Sequence, residues 1–209
     1  MTIEWYFDFI SPFAYLHWPK VRDLSERHPV RFRPILLAGL LNHHGQKGPA
    51  EIPGKRVFTY RHVLWQARQQ GVPLRFPPAH PFNPLLALRL CLAADSDVRA
   101  ISVIFDWLWA EGRALDTPEA ITPLAASLGI DDLSALSAPT VKDALRGNFD
   151  AAVALGVFGV PTLNIDGQLF WGNDAHAFAE AVIADPSLLD DPAMRAIDSL
   201  PVAAARPGT

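Results

Sequence analysis

Strand-forming segments occupy only the two ends of this chain, and nearly everything between them reads as helix. Residues 3–9 (IEWYFDF) and 30–36 (VRFRPIL) are rich in β-branched and aromatic residues, and the stretch 12–27 between them puts Ala14, Trp18, Val21 and Leu24 on one helical face. A helix between two strands makes the strands parallel. The strand pattern returns only after Gly156, as residues 162–165 and 168–171 flanking Asp166-Gly167, a pair suited to a type I′ hairpin turn. The segment between these strand-forming ends reads as an all-helical unit, consistent with an inserted domain.

That block is well punctuated. Val57, Tyr60, Leu64 and Ala67 form one face of a helix ending before Gly71, Asn83-Pro84 opens a helix over 85–94, and Asp97 caps one with Val98, Ile101, Phe105, Leu108 and Trp109 inward. Thr117-Pro118 opens another, and Thr140 begins one that carries Val141, Leu145, Ala152 and Leu155. Residues 38–53, rich in Gly, Asn, His and Pro, read as a long polar loop of the kind that carries function. Asp174 reads as the cap of a last helix to about residue 185, and 202–209 as an unpatterned tail.

With half of its 209 residues apolar, the chain can bury a substantial core. A net charge of −4, with no Lys/Arg cluster larger than a pair, argues against nucleic acid as a partner. The first residues have no basic segment preceding an apolar one, and the longest uncharged run, 151–165, is shorter than a bilayer span and contains Pro161. The expectation is a cytoplasmic protein without a membrane partner. Cys91, the single cysteine, lies in an apolar stretch and reads as an inert core thiol. No metal site is expected at His43-His44, because adjacent side chains point apart and no carboxylate or Cys stands at ligand spacing.

The chemistry concentrates at residues 7–15, FDFISPFAY, where the first strand meets its helix. Ser11 sits at the N-cap, Pro12 has no N–H to leave unsatisfied in the first turn, and the helix dipole places partial positive charge beside the serine. Such a corner favours an anion. The same residues also make an ordinary helix start, and locally both readings stand.

Three motifs in this order, FDFISPFAY at 7–15, GVFGVPT at 156–162 and FWGND at 170–174, resemble the 2-hydroxychromene-2-carboxylate isomerases. These group with the kappa-class glutathione transferases in the DsbA-like branch of the thioredoxin superfamily, and the resemblance runs from about residue 3 to residue 185. It implies an α/β, thioredoxin-like fold with a large all-helical domain inserted after the first βαβ unit. On that scheme 1–40 and 140–190 form the thioredoxin-like domain, 41–139 the inserted helical domain and 191–209 a C-terminal tail. Thioredoxin-like oxidoreductases carry Cys-x-x-Cys at this corner; Ser11 and Ala14 stand there instead, so no resolving thiol is available.

The resemblance also implies glutathione as cofactor. Ser11 would be catalytic, holding the glutathione thiolate. Pro161 would be cis, which turns the N–H and C=O of Val160 toward the cysteinyl unit as if to an added strand. Asn173 and Asp174 would begin a helix whose N–H groups take the γ-glutamyl carboxylate, with the Asp174 side chain on the α-ammonium. Trp171 fits either the core behind the hairpin or a wall of the groove. The family carries Asn and Arg shortly after a Gly-Pro in the first long loop; here Gly48-Pro49 is followed by Ala50-Glu51-Ile52, leaving Lys47, Lys55 and Arg56 as cations for a substrate carboxylate.

The implied activity is glutathione-dependent cis–trans isomerisation in aromatic catabolism. It interconverts 2-hydroxychromene-2-carboxylate with trans-o-hydroxybenzylidenepyruvate, or a related aromatic oxo acid, by reversible thiolate addition, within a homodimer. A kappa-like transferase and a non-catalytic glutathione- or partner-binding module use the same groove and remain open alternatives. A serine hydrolase lacks the Gly-x-Ser-x-Gly elbow.

Overall fold

In the computed structural model, which describes residues 1–204, the two ends of the chain build one four-stranded sheet. β1 (Ile3–Phe7) lies inside it, parallel to β2 (Val30–Pro34) and antiparallel to β3 (Thr162–Ile165), which pairs in turn with β4 (Gln168–Trp171). Strand order is β2-β1-β3-β4. The β3–β4 turn has positive φ at Asp166 (48°) and Gly167 (95°), the backbone that a type I′ turn requires and glycine accepts without strain.

Every residue of β1 is buried, and alternation along it sorts two different interiors. Ile3, Trp5, Phe7 and the following Phe9 enter the larger core. Trp5 stacks on Phe7 at 4.3 Å and on Trp18 of α1 (Pro12–Arg27) at 5.4 Å, and Phe9 lies 4.7 Å from Phe105 of α5 (Val98–Phe105). The same core continues through α3 (Pro53–Gln70), α4 (Leu85–Ala93) and α6 (Pro118–Ser127) by way of Val63, Leu88, Ile101, Phe105 and Leu124. A π-helical turn, Asp106–Ala110, extends α5 and brings the indole Nε1 of Trp109 to donate to the Phe9 carbonyl at 2.9 Å. Sheet and helical block thus share one continuous apolar interior.

On the opposite face Tyr6 packs with Ile35, Leu40 of α2 (Leu37–His43), Ala152 of α7 (Pro139–Ala154), Val157 and Val160. Glu4 lies on this face, held by Arg33 of β2 through Nη2 at 2.7 Å and Nε at 3.0 Å, by Asn164 of β3 at 3.0 Å and by the Tyr6 hydroxyl at 3.0 Å. Burial alone would raise the Glu4 carboxyl; those hydrogen bonds outweigh it and hold the group below its ordinary range. Arg33 also donates to Asn148 of α7, whose amide donates to the Pro34 carbonyl, so one network joins three strands and a helix.

Asp8, just past β1, is fully buried on the same side. Its carboxylate accepts from the N–H of Ile10 at 3.1 Å and of Leu37 at 2.8 Å. The second bond caps α2, whose own N-cap Leu36 offers no side-chain acceptor. Desolvation pushes the carboxyl up to about 7 against these backbone bonds.

Several elements differ from the sequence pattern. The expected loop at 38–53 contains α2 and a 3₁₀ turn, Pro49–Glu51, because Leu40 is buried against the sheet and Asp8 supplies the cap from afar. On α3 the buried residues are Val63 and Ala67, and Val57 is exposed. Helix α8 (His176–Ala184) starts two residues after Asp174, with Ala175 at its N-cap, so Asp174 lies in the preceding turn and is not the cap. Nor is α8 the last helix: α9 (Pro192–Ile197) forms within the expected tail and buries none of its residues. Of the tail at 202–209, residues 205–209 lie outside the described residues.

Removing Arg33 as Arg33→Ala leaves the Glu4 carboxylate without its cation and should cost about 3 kcal/mol in urea unfolding at neutral pH. Asp8 generates a pH dependence. Its unfolded carboxyl titrates near 3.8 and its folded one near 7, so between these values the native state holds a proton that the unfolded chain has lost. Its contribution is full below the lower value and lost as pH rises through the upper. Unfolding at pH 5 and pH 8 should show a smaller loss of stability for Asp8→Asn than for the unsubstituted protein.

Candidate active site

Sheet register brings the three sequence motifs to one edge. Tyr6 pairs with Thr162 and Thr162 with Trp171, so the end of β1, the start of β3 and the end of β4 meet there. Beyond β1 comes Ser11, before β3 the Val160-Pro161 bond, and after β4 Gly172, Asn173 and Asp174.

Ser11 is the N-cap of α1 with φ −87° and ψ 112°, and is only 6% exposed. Its Oγ accepts the N–H of Ala14 at 3.2 Å, which leaves the hydroxyl proton free to donate to an anion. Pro12 at N1 and Pro161 are both buried. The Val160-Pro161 bond is cis, as the family resemblance implies. Among the described residues neither the N–H nor the C=O of Val160 has a hydrogen-bond partner, so a peptide edge is available beside the serine corner. Trp171 is 55% exposed, with its indole against Gly159 and the Phe158 ring 5.4 Å away. It belongs to the surface and not to the core. A Cβ on Gly159 would lie 2.6 Å from the indole nitrogen, so this close approach requires glycine.

Asn173 is buried, and both its backbone carbonyl and its Oδ1 accept from the ammonium of Lys20, at 3.3 and 2.9 Å. Its side-chain oxygen is therefore engaged by the protein itself. Asp174 is exposed, and its carboxylate folds over Gly172, where φ is 99° and a Cβ would meet Oδ1 at 2.5 Å. Burial lowers the Lys20 pKa, while Asp174 and Glu180 act in the opposite direction.

Beneath this end of α8 runs a chain of imidazoles. Trp5 Nε1 donates to His17 Nδ1 at 3.3 Å, which sets the His17 tautomer so that its Nε2–H donates to His176 Nδ1 at 3.0 Å. His176 then directs its Nε2–H toward Glu180, 3.8 Å away. Desolvation holds both rings below the ordinary imidazole range, and their mutual proximity adds to the shift on His17. The chain ties α1 to the first turn of α8.

The helical block reaches the same corner through His80. Its Nε2 donates to the carbonyl of Ile10, the residue before Ser11, at 2.8 Å, and the Tyr60 hydroxyl meets Nδ1 at 2.5 Å. Arg56 donates to the His80 carbonyl at 3.1 Å with its guanidinium 5.5 Å from the Tyr60 ring. All three candidate cations are exposed; Arg56 is linked to the Ile10 corner through His80, whereas Lys47 and Lys55 make no side-chain hydrogen bond or ion pair among the described residues. Among those residues, no three His, Cys, Asp or Glu side chains form a group able to hold a metal.

Lys20, His80 and the polar role of Tyr60 escape sequence reading. Tyr60 is visible only as part of a helical face, and no local pattern joins His80 to Ile10 or Lys20 to Asn173, pairs separated by 70 and 153 residues. A lysine in the stretch 12–21, where His17 is the other strongly polar residue, is the one hint.

Comparison with known proteins agrees with this architecture. The DSBA-like thioredoxin domain family matches residues 2–184. The 2-hydroxychromene-2-carboxylate isomerase of Pseudomonas putida is 31% identical over 183 residues, covering 83% of this chain and 90% of that protein. Glutathione s-transferase kappa 2 of Caenorhabditis elegans is 26% identical over 208 residues, covering 88% and 92%. A solved 2-hydroxychromene-2-carboxylate isomerase structure superposes with a TM-score of 0.76 at 25% identity, over 91% of this chain and 98% of that one. These likenesses span sheet and helical block alike: the chain is an enzyme of the DSBA-like thioredoxin-domain family and belongs to its 2-hydroxychromene-2-carboxylate isomerases.

Proposed function

We propose that this enzyme interconverts 2-hydroxychromene-2-carboxylate, or a closely related aromatic oxo acid in its hemiketal form, with the trans open-chain isomer, using glutathione as a cofactor that is not consumed. The observation that carries the reading is the pairing of a buried serine cap, Ser11, with an unpartnered peptide edge at Val160 next to cis-Pro161. A tripeptide thiol matches both: a strand-like backbone for the edge and a sulfur for the helix start. A glutathione transferase among the relatives supports the same cofactor. Glutathione supplies the thiolate whose reversible addition to the conjugated carbon frees the adjacent bond to rotate.

The chain's own residues bind and orient. Ser11 donates its hydroxyl proton to the sulfur, and the α1 dipole favours the charged form. Val160 pairs with the cysteinyl backbone while Trp171 walls the groove. Asp174, exposed ahead of α8, takes the α-ammonium, and the N–H groups of the first α8 turn take the carboxylate beside it. Asn173 acts through Lys20, which it holds against that turn. Arg56 is the cation assigned to the substrate carboxylate, with Lys47 and Lys55 as exposed charges that draw the anionic substrate toward the cleft. A homodimer belongs to the same proposal: Phe58 (66% exposed) and Trp65 (57%) on α3 are apolar surface that a second copy would cover, and light scattering tests it. Abundant reduced glutathione places the reaction in the cytoplasm.

Ser11→Ala should retain the fold, bind glutathione in calorimetry, and isomerise about 10- to 100-fold more slowly at pH 7, the equivalent of one hydrogen bond to a charged group. The deficit should narrow at alkaline pH, where the thiol ionises without help; equal rates at every pH would reduce Ser11 to a helix cap. Asp174→Ala has no side-chain cap to lose, so its effect should appear in glutathione affinity, weakened about 10-fold, with an unchanged unfolding midpoint. Chromatography of the products distinguishes isomerisation, which leaves the glutathione concentration constant, from transfer, which consumes it.

A further inference from the structure

Isomerisation of a hemiketal requires protons to move as well as a bond to rotate, and neither Ser11 nor Arg56 is suited to carry them. Tyr60 stands in the cleft of about 480 Å³ lined by Ala50, Glu51, Pro53, Arg56 and Val57. That volume falls within the range of small-molecule sites. Its hydroxyl lies 2.5 Å from His80 Nδ1 and 2.9 Å from the His80 carbonyl. Because His80 Nε2 donates to the Ile10 carbonyl at 2.8 Å, the tautomer is set and Nδ1 presents a lone pair to the phenol. The arrangement is that of an activated hydroxyl: a side-chain O–H, a base within hydrogen-bond reach, and a third group that orients the base. Desolvation, with Arg56 adding to it, lowers the His80 pKa, so the ring is a neutral base at neutral pH. Aromatic rings close around it, Phe76 4.6 Å from Tyr60 and Trp109 5.5 Å from His80. The charged groups of this lining are Arg56, above the Tyr60 ring, and Glu51, whose carboxylate accepts from the Gly48 N–H.

We propose that Tyr60 is a catalytic acid–base residue of the isomerisation and that His80 is its positioning residue and proton store. The assignment rests on the isomerase reading above. In ring opening, the hemiketal hydroxyl gives its proton to the Tyr60 oxygen as the phenol proton passes to His80 Nδ1. The electron pair left on the substrate oxygen forms the carbonyl, the ring C–O bond breaks, and the ring oxygen departs as a phenolate. That phenolate then takes the proton of Tyr60, and the imidazolium returns its own to the tyrosine. No proton is gained or lost, in keeping with an isomerisation, and the developing imidazolium is stabilised by the Ile10 carbonyl. Since Ile10 precedes Ser11, the proton-transfer pair and the proposed sulfur site are held in register by one hydrogen bond.

The test uses Tyr60→Phe in the full chain, assayed with saturating glutathione. The variant should lose about 100-fold in kcat, the scale of general acid–base catalysis, with KM changed little. Its glutathione affinity and unfolding midpoint should match those of the unsubstituted protein. Adding His80→Gln to Tyr60→Phe should slow the reaction little further, since the two act as a unit. A kcat within about threefold of the unsubstituted protein, or a loss of rate accompanied by weaker glutathione binding or earlier unfolding, overturns the proposal and leaves Tyr60 a strut between α3 and the Ile10 corner. Additive losses in the double variant overturn the part given to His80. Should the unsubstituted protein itself fail to isomerise the chromene, the isomerase reading falls first and this assignment with it.

Discussion

β1 is buried on both faces, and the rest of the molecule follows from how each face is satisfied. A strand with water on neither side has no solvent to accept its polar side chains, so every one of them needs a protein partner. One face is wholly apolar and joins the sheet to the helical block through Trp5, Phe7, Phe9 and Phe105. The other carries Glu4, Tyr6 and Asp8, and its partners arrive from distant parts of the chain: Arg33, Asn164 and, through Arg33, Asn148 for Glu4, and the Leu37 amide for Asp8. Alternation along a single strand therefore lays down both the apolar core and the polar framework that ties β2, β3, α2 and α7 to it.

The site is a by-product of the same strand. Where β1 ends, the chain turns into α1 with a serine at the cap and a proline behind it, and the antiparallel register of β3 delivers the cis-proline turn to the same edge. At this corner a cysteine would be its own nucleophile. A serine here, with Ala14 where a resolving thiol would stand, supplies neither sulfur of a Cys-x-x-Cys pair, and the chain belongs to an isomerase family that also has glutathione transferases among its relatives. The edge proposed for the cofactor is thus assembled from backbone and one hydroxyl, groups whose placement depends on secondary structure more than on side-chain rotamers.

The helical block reaches the same corner from the other side. Its long helix α3 runs beside the start of α1, where the Phe13 and His62 rings lie 6.3 Å apart, and the proline-rich segment after α3 folds back so that His80 reaches Ile10. The Tyr15 hydroxyl donating to the Pro73 carbonyl at 2.6 Å pins that segment to α1. An insertion into a thioredoxin-like sheet would have little access to the chemistry if it folded apart; here it shares the core and lends polar groups to the corner.

What the sequence by itself determined is local. The α1 start at Ser11-Pro12, the parallel β1–α1–β2 unit, the Asp166-Gly167 hairpin and the Val-Pro-Thr motif each depend on residues within a few positions of one another, and a turn, a cap or a strand leaves a pattern at that range. Where a local pattern was missing or misleading, a distant partner supplied the reason. The segment 38–53 looks like a loop because the acceptor that caps α2 is Asp8, outside the segment, and because Leu40 becomes buried only when Tyr6 and Val157 cover it. Asp174 looks like a cap, yet the turn over Gly172 delays the helix to His176. Lys20 on Asn173, His17 on His176 and His80 on Ile10 are pairings of side chains far apart in the chain, and only tertiary structure decides them, because a hydrogen bond between distant residues requires a distance and a direction that no periodicity encodes.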